Sequence, residues 1–389
     1  MSTEKKKELV PKRRFPEFQN SENWELKLLG SLCKIRTGKK DANEGSSDGP
    51  YPFFTCAEKH IFSDSYSFDA EAILIAGNAN VGQTKYYRGK FEAYQRTYVL
   101  TDFSRISAPY LYSVLKAKLK DSLLAQVQVS AMSYIKLPML QEYVLAVPSN
   151  PVEQQKIADC LSSLDELIAA QNRKVEALKT HKKGLMQQLL PREGETQPHL
   201  RFPEFQDAAD WEVRSLNQVA ENLDNRRVPI TSSDRAAGDV PYYGASGIVD
   251  YVDGFIFDED LLCVSEDGAN LVARTYPIAF PISGKTWVNN HAHVLRFENS
   301  STQKFVEVYL NSIKLDDFIT GMAQPKLNKA MLDSIPIPHP DIVEQKKIAD
   351  CLTFLDAHII AATLELDTLK MHKKGLMQQL FPSAEALAL

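Results

Sequence analysis

Three arrangements in this sequence carry residue types that could do chemistry. His291-Ala-His293 sets two imidazoles two positions apart, and on a strand that spacing turns both to one face. A metal would need a third ligand, and the sequence offers no obvious one, so no metal is expected. AFPISGKT at Ala279–Thr286 falls one glycine short of the phosphate-cradling pattern GxxxxGK[ST], because Ala279 stands where the first glycine belongs. No helix signal follows it, so an NTPase is rejected. The third arrangement is a set of short, turn-rich clusters that mix cations with amides, hydroxyls and aromatics. In the first half these are Lys39 and Lys40 (GKKD), Asn78 and Asn80 (GNAN), Lys85, Tyr87 and Arg88 (KYYR), and Gln95 and Arg96 (YQRT). In the second half they are Arg226 and Arg227 (NRRV), Tyr243 and Ser246 (YYGAS), and Asn270. Lys285, Trp287, Asn289 and Asn290 (KTWVNN) follow, with Gln324 and Lys326 (AQPKL). Arg and Lys hold phosphates while Asn, Gln, Ser and Thr pair with base edges, which is the makeup of a groove reader. For any one of these residues the competing explanation is a solvated loop charge.

Other chemistry is missing from the sequence. It holds no GxGxxG dinucleotide fingerprint, no [ND]PP[YF] tetrapeptide of an amino-group methyltransferase, and no nucleophile–base constellation. The chain reads as a non-catalytic reader.

Length and composition bound the elements that must carry these clusters. The chain has 389 residues, enough for two to four domains, and 44% apolar residues, enough for packed cores. No window approaches eighteen uninterrupted apolar residues, so no membrane span is expected. MSTEKKKELVPKRR lacks an apolar stretch and is not read as a secretory leader. Five scattered cysteines without a CxxC pair suggest reduced thiols in a cytoplasmic protein. The net charge of −5 argues against indiscriminate coating of nucleic acid. Residues 24–150 carry 15 Lys/Arg against 12 Asp/Glu (+3), whereas residues 211–341 carry 11 against 18 (−7). Any nucleic-acid contact in the second stretch must therefore come from local clusters.

The chain is written twice. RFPEFQ at Arg14–Gln19 recurs at Arg201–Gln206, and Trp24-Glu25 recurs as Trp211-Glu212. Glu153–Pro191 and Glu344–Pro382 share 24 identities in 39 positions, including KIADCL and HKKGLMQQL. Between these blocks only a skeleton persists: TYVL ending at Leu100 faces AHVL ending at Leu295, and IAGNAN faces SEDGAN. A nearly fixed part suits one kind of partner met twice, and a diverged part suits two different targets.

The fixed blocks have heptad spacing. Ile157, Leu161, Leu164, Ile168, Gln171, Val175, Leu178, Lys182, Leu185 and Leu189 advance by fours and threes. Ile348, Leu352, Leu355, Ile359, Ala362, Leu366, Leu369, Lys373, Leu376 and Leu380 repeat the pattern. Each block predicts a helix roughly 57 Å long at 1.5 Å per residue, and two such stripes should cover each other as an antiparallel coiled coil. Lys182 and Lys373 on the seam either snorkel or meet a carboxylate, and specify register. The HKKGLMQQL ends either contact a partner or cap the helices against the RFPEF segments.

The diverged stretches predict compact mixed α/β domains. Strands are expected at Ala72–Ala76, Arg96–Leu100, Leu261–Val264 and His293–Phe297, and helices at Tyr110–Lys120 and Phe305–Ile313. The expected organisation is a tail and repeat-opening segment (1–23), a first domain (24–150), a first spacer helix (151–190) and a linker (191–210). A second domain (211–341), a second spacer helix (342–381) and a C-terminal tail (382–389) complete it.

This organisation resembles the specificity subunits of type I restriction–modification systems. The resemblance rests on RFPEF…WE opening each half, on the EQxKIADCL and GLMQQL[LF]P helices, and on the domain–helix–domain–helix order. WVNNHAHVLRF (Trp287–Phe297) and AQPKLNKAML (Ala323–Leu332) add to it. It implies two α/β (α+β) target-recognition domains in tandem pseudo-repeat, separated by two long helices, each domain reading one half of a split double-stranded DNA site. It further implies docking of two adenine-N6 methyltransferase subunits and, through them, restriction subunits. S-adenosylmethionine, ATP and Mg would sit on those partners and no cofactor on this chain. The residues alone also fit a rival, a coiled-coil scaffolding adaptor with two peptide-binding domains; an independent nuclease lacks an acidic metal motif. Under the first reading, exchanging residues 24–150 for another such domain should change one half-site of the methylated sequence and leave the other intact. A change at both halves, read by mapping methylated adenines, would refute independent readout.

Overall fold

The computed structural model describes residues 9–126, 134–192, 194–321 and 324–382, with the side chains of residues 125 and 126 left aside. Most of the C-terminal tail, residues 1–8 of the N-terminal tail, and Ala323 of the AQPKL cluster lie outside these. Two long helices dominate, Pro151–Leu189 and Ile342–Leu380, each of 39 residues. Their starts follow from local chemistry. Asn150 Oδ1 accepts from the Val152 N–H and Asp341 Oδ1 from the Val343 N–H, satisfying amides that the first turn leaves open. Pro191 and Pro382 follow the last turns. Among the described residues no helix is long and apolar enough to cross a membrane.

The chain divides into two compact units, Met1–Asn172 with Leu364–Leu389, and Arg173–Thr363. Each contains half of both long helices. In the first unit Gln171 Nε2 donates to Glu365 (2.8 Å), Lys373 Nζ pairs with Asp165 (2.5 Å), and Ile157 and Leu161 share a core with Leu380 and Phe381. As one helix number falls the other rises, so the strips run antiparallel. In the second unit Lys182 pairs with Asp356 (2.5 Å), and Leu190 shares a core with Ile348 and Leu352. Of the heptad residues, Ile157, Leu161, Val175 and Leu189 are buried, as are Ile348, Leu352, Leu355, Leu366 and Leu380. Leu164, Ile168, Leu178, Leu185, Ile359, Leu369 and Leu376 are half-buried. Both seam lysines meet a carboxylate from the opposite helix.

The first unit carries a six-stranded sheet. Its order is Lys34–Thr37, Thr97–Thr101, Phe68–Ala76, Thr84–Ala93, Tyr51–Phe54 and Ile61–Ser63. All pairs are antiparallel except Tyr51–Phe54 with Thr84–Ala93. The helix Ala108–Gln126 contributes Tyr110, Leu111, Leu115 and Leu119 to the core beside Ile73, Ile75 and Leu100. In the second unit the corresponding strands fall into two four-stranded sheets. One orders Glu221–Asn222, Ala292–Arg296, Leu261–Ser265 and Ala279–Ile282; the other Gly247–Val252, Ala237–Gly244, Lys285–Val288 and Phe257–Asp258. One sheet becomes two because the nine- and ten-residue strands of the first unit, long enough to span both layers, are replaced by short ones. Helix Ser300–Ser312 packs Phe305, Val306 and Leu310 on the first of these sheets.

A two-stranded ribbon closes each unit, Glu25–Leu28 with Val144–Val147 and Glu212–Ser215 with Pro336–His339. Beside each ribbon lies a buried polar staple. Glu153, 1% exposed, takes hydrogen bonds from Arg14 Nε and Nη2 (both 2.7 Å) and from Trp24 Nε1 (3.2 Å). Glu344, equally buried, takes them from Arg201 Nε (2.9 Å), Arg201 Nη2 (2.6 Å) and Trp211 Nε1 (3.0 Å). The arginines also donate to turn carbonyls, Arg14 to Ser21 and Glu22 and Arg201 to Ala208 and Ala209. Each Trp edge then meets an aromatic of the domain helix, Tyr110 or Phe305.

Removing one partner of such a pair leaves a charge buried without compensation. Glu153→Ala should cost about 3–5 kcal/mol in denaturant unfolding. Lys156→Ala, which removes an exposed pair with Glu17 and a cation over the Phe15 ring, should change stability by no more than about 1 kcal/mol. Equal losses for the two variants would sink the staple.

Candidate functional site

The clusters identified from the sequence converge at one loop-rich edge of the first unit. Gly77 N donates to Arg96 O (2.9 Å), Ile135 N to Gly77 O (2.8 Å), and Gln95 N to Lys40 O (2.9 Å). Asn78 forms a bridge with Tyr134, and Lys40 with Tyr94. The loops carrying Lys39, Asn78, Asn80, Gln95 and Arg96 are thus tied together by backbone bonds. Lys39, Asn80, Gln95 and Arg96 are exposed there, and Arg88 is exposed on the strand Thr84–Ala93, opposite Glu71. Several residues of these clusters also have internal partners. Lys40 Nζ donates to Ser63 and Ser65 and lies 3.7 Å from the buried Glu92. Asn80 Nδ2 donates to Cys56 O and Gln95 Nε2 to Asp41. Lys85 Nζ donates to Ala57 O (2.6 Å), and burial holds its ammonium below the usual lysine range against the charges of Cys56 and Glu58. Tyr87 packs its ring on Phe54 and Phe91. Asn78 Oδ1 is buried and has no hydrogen-bond partner among the described residues.

The second unit repeats the ties with other side chains. Glu266 N donates to His291 O (2.9 Å), Leu327 N to Glu266 O (2.8 Å), and Gly268 N to Pro325 O (3.1 Å). Asp267 bridges Lys326 where Asn78 bridges Tyr134. Ser246 Oγ lies 3.0 Å from Tyr276 Oη, and Asn289 N donates to Tyr243 O. This edge therefore gathers Tyr243, Ser246, Asn289, Asn290, Gln324 and Lys326, of which Ser246, Asn290, Gln324 and Lys326 are exposed. Asn270 is buried and shapes a turn: its Oδ1 accepts from Thr275 and Tyr276 and its Nδ2 donates to Tyr276 O. Asn289 Oδ1 accepts from His291 N, and Tyr243 stacks on Phe280. Lys285 and Trp287 lie on the strand Lys285–Val288, which pairs with the strand of Tyr243, and Arg226 ends the short turn of helix Asp224–Arg226. Arg226 reaches Glu259 and covers Phe257, Lys285 covers Phe255, and Trp287 Nε1 donates to Val228 O.

Arg227 is not a surface cation. Its guanidinium donates to Glu266 (2.7 Å) and to Ala292 O (2.8 Å) and lies 3.4 Å from Asp224, with 12% of the side chain exposed. The pairing of His291 with His293 also dissolves. His291 sits in the turn before the strand and bonds Asp267 (2.7 Å), whereas His293 is fully buried between Asp224 Oδ2 (2.6 Å) and Leu327 O (2.7 Å). The donor atoms that do approach one another belong to Asp224, Glu266 and His293, within 4.8 Å. The cation occupying that cluster is the Arg227 guanidinium. Burial pushes both carboxyls up, but hydrogen bonds and charge from His293 and Arg227, with Lys326 on Glu266, outweigh it. Asp224 and Glu266 end below the usual carboxylate range. Sequence reasoning overlooked Asp224 and Glu266, although SEDGAN facing IAGNAN marks the place where charge entered.

Residues 21–180 and 208–368 each match the family described as type I restriction modification DNA specificity domain. A Haemophilus influenzae protein named as a type I restriction enzyme specificity subunit is 36% identical over 151 residues, 39% of this chain and 39% of its own length. The Escherichia coli type I restriction enzyme EcoDI specificity subunit is 42% identical over 142 residues, 36% of this chain and 31% of that one. The chain thus spans about a third to two-fifths of these relatives. The crystal structure of a type I restriction–modification S subunit from M. genitalium superposes with a TM-score of 0.68 at 18% identity, covering 96% of this chain and 99% of that chain.

The depressed carboxyls of the second unit fix the sign of a pH effect. Their stabilisation is fully present above the ordinary carboxylate range and is lost as pH falls through their lowered values. Denaturant melts from neutral pH down to about pH 3 should show an acid loss of stability that Arg227→Ala removes in part. An Arg227→Ala chain with unaltered stability at neutral pH and unaltered acid dependence would refute this role.

Proposed function

Because this chain belongs to the type I restriction–modification DNA specificity family, we propose that each of its two units reads one half of a split, asymmetric duplex site. The observation that carries this reading is the repeated scaffold with changed contents. The same backbone ties present Asn78, Tyr134 and Arg96 at one edge and Asp267, Lys326 and His291 at the other. Equal frames with unequal donors and acceptors suit two different base sequences, since phosphate contacts position a protein and base-edge contacts specify its site. Exposed Lys39, Arg88 and Arg96 are the phosphate candidates of the first unit, with Asn80 and Gln95 beside them. Ser246, Asn290, Gln324 and Lys326 are those of the second.

Catalysis in this proposal belongs to other polypeptides. Two adenine-N6 methyltransferase subunits would dock on the chain, bring S-adenosylmethionine and flip the target adenine from the stack. Restriction subunits with ATP and Mg would join through them. The repeated HKKGLMQQL segments supply two like surfaces for two like partners.

Mapping N6-methyladenine genome-wide in cells with and without this chain tests the proposal directly. One bipartite motif should lose its methylation when the chain is removed, and two methyltransferase copies should co-purify with each chain. No chain-dependent motif would overturn it. On the mapped duplex, Lys39→Ala, Arg88→Ala and Arg96→Ala should each flatten the dependence of log affinity on log salt by about one unit. Unchanged slopes would remove those residues from the interface.

A further inference from the structure

The two units hold their inner loop in place with different chemistry. In the first, Tyr98 Oη donates to Ile135 O (2.8 Å), and Ile135 N donates to Gly77 O. In the second, His293 Nε2 reaches Leu327 O (2.7 Å), and Leu327 N donates to Glu266 O. Tyr98 and His293 occupy the same place in the facing TYVL and AHVL strands, each one residue after the strand begins. The carbonyl each one reaches belongs to the residue directly after the loop bridge, at Tyr134 or Lys326.

We infer that His293 is a positioning residue for the reading loop that carries Gln324 and Lys326, and that Tyr98 is its counterpart in the first unit. This rests on the proposal that these edges read DNA. A phenol needs one proton to serve its carbonyl. Burial pushes the Tyr98 hydroxyl up, so it keeps that proton throughout the working range. An imidazole is in a different situation here, because both ring nitrogens face acceptors. Nδ1 meets Asp224 Oδ2, whose other oxygen is taken by Val294 N, and Nε2 meets Leu327 O. Only a ring protonated on both nitrogens donates to both. The groups facing it are Asp224, Glu266 (3.8 Å from Nδ1), Arg227, which bridges those two carboxylates, and Lys326, which pairs with Glu266. Cys263, fully buried on the adjacent strand across from Val294, completes the surroundings. The loop tie of the second unit therefore depends on a proton, and that of the first does not.

Hydrogen exchange of the full chain without DNA reads the tie itself. Protection of the Gln324, Lys326, Leu327 and Asn328 amides in the second unit, corrected for intrinsic exchange, should fall once the pH is raised far enough to remove one of the two imidazole protons, while protection at Tyr134–Ile135 stays level. On duplexes carrying the mapped site with one or the other half scrambled, His293→Phe should weaken discrimination of the second unit's half-site by about tenfold and leave the other half unchanged. Tyr98→Phe should do the reverse. A pH-independent ratio of protection between the two loops overturns the inference, as does His293→Phe with undiminished half-site discrimination. Were the unaltered chain to protect no split site at all, the DNA reading would fall, and the exchange ratio would still decide whether the proton holds the loop.

Discussion

Everything in each unit hangs on one buried carboxylate at the start of a long helix. Glu153 and Glu344 lie in the first turn, where the open amides favour negative charge. Each binds an arginine from the RFPEF segment bidentately and the indole of the following Trp. A single side chain thus joins the entering segment, the ribbon of the domain and the helix. The next residue extends the junction inward. Gln154 receives Ser107 N and donates to Pro148 O, while Gln345 receives Thr302 Oγ and donates to Pro340 O. That double bolt between helix and domain is why the EQxKIADCL block and the RFPEF…WE segment stay alike while the sequence between them diverges.

Constraint falls away with distance from that junction. In the sheets, apolar alternation has to be kept but the strand lengths do not, and one six-stranded sheet corresponds to two four-stranded ones. At the loop edges only backbone ties are repeated, which leaves side chains free to differ. The first unit's edge carries Asn78 and Arg96, and the corresponding edge of the second has Asp224 and Glu266 paired internally with Arg227 and His293. Asp224, Glu266 and Arg227 together contribute −1 of the net charge of −7 over residues 211–341, so most of that negative charge lies outside this cluster.

The long helices, their antiparallel pairing and the main strands were legible in the sequence because heptad and alternating periods are local signals. The strand at Ala72–Ala76 extends to Phe68, and the helix at Tyr110–Lys120 extends to Ala108–Gln126, ordinary shifts at element ends. The site was less legible. Cation clusters mark loops but cannot tell Arg96, which is exposed, from Arg227, whose partners lie 39 and 65 residues away. Asn270 looks like a base reader and is a turn former. Arg14 and Glu153 both stood inside the repeated blocks, yet their bond spans 139 residues and no local period announces it.

The lysines within the apolar seams have a consequence for how the two helices find each other. Lys373 is buried on its seam, and that burial holds its ammonium below the usual lysine range while Asp165 pulls the other way. Leucines on such a seam would tolerate a slide of seven residues almost without penalty. A slide here would strand both Lys182 and Lys373 in apolar surroundings and leave Asp356 and Asp165 unanswered. Misaligned pairings are thereby rejected during assembly, and the amphipathic strips have one alignment in which they can come to rest.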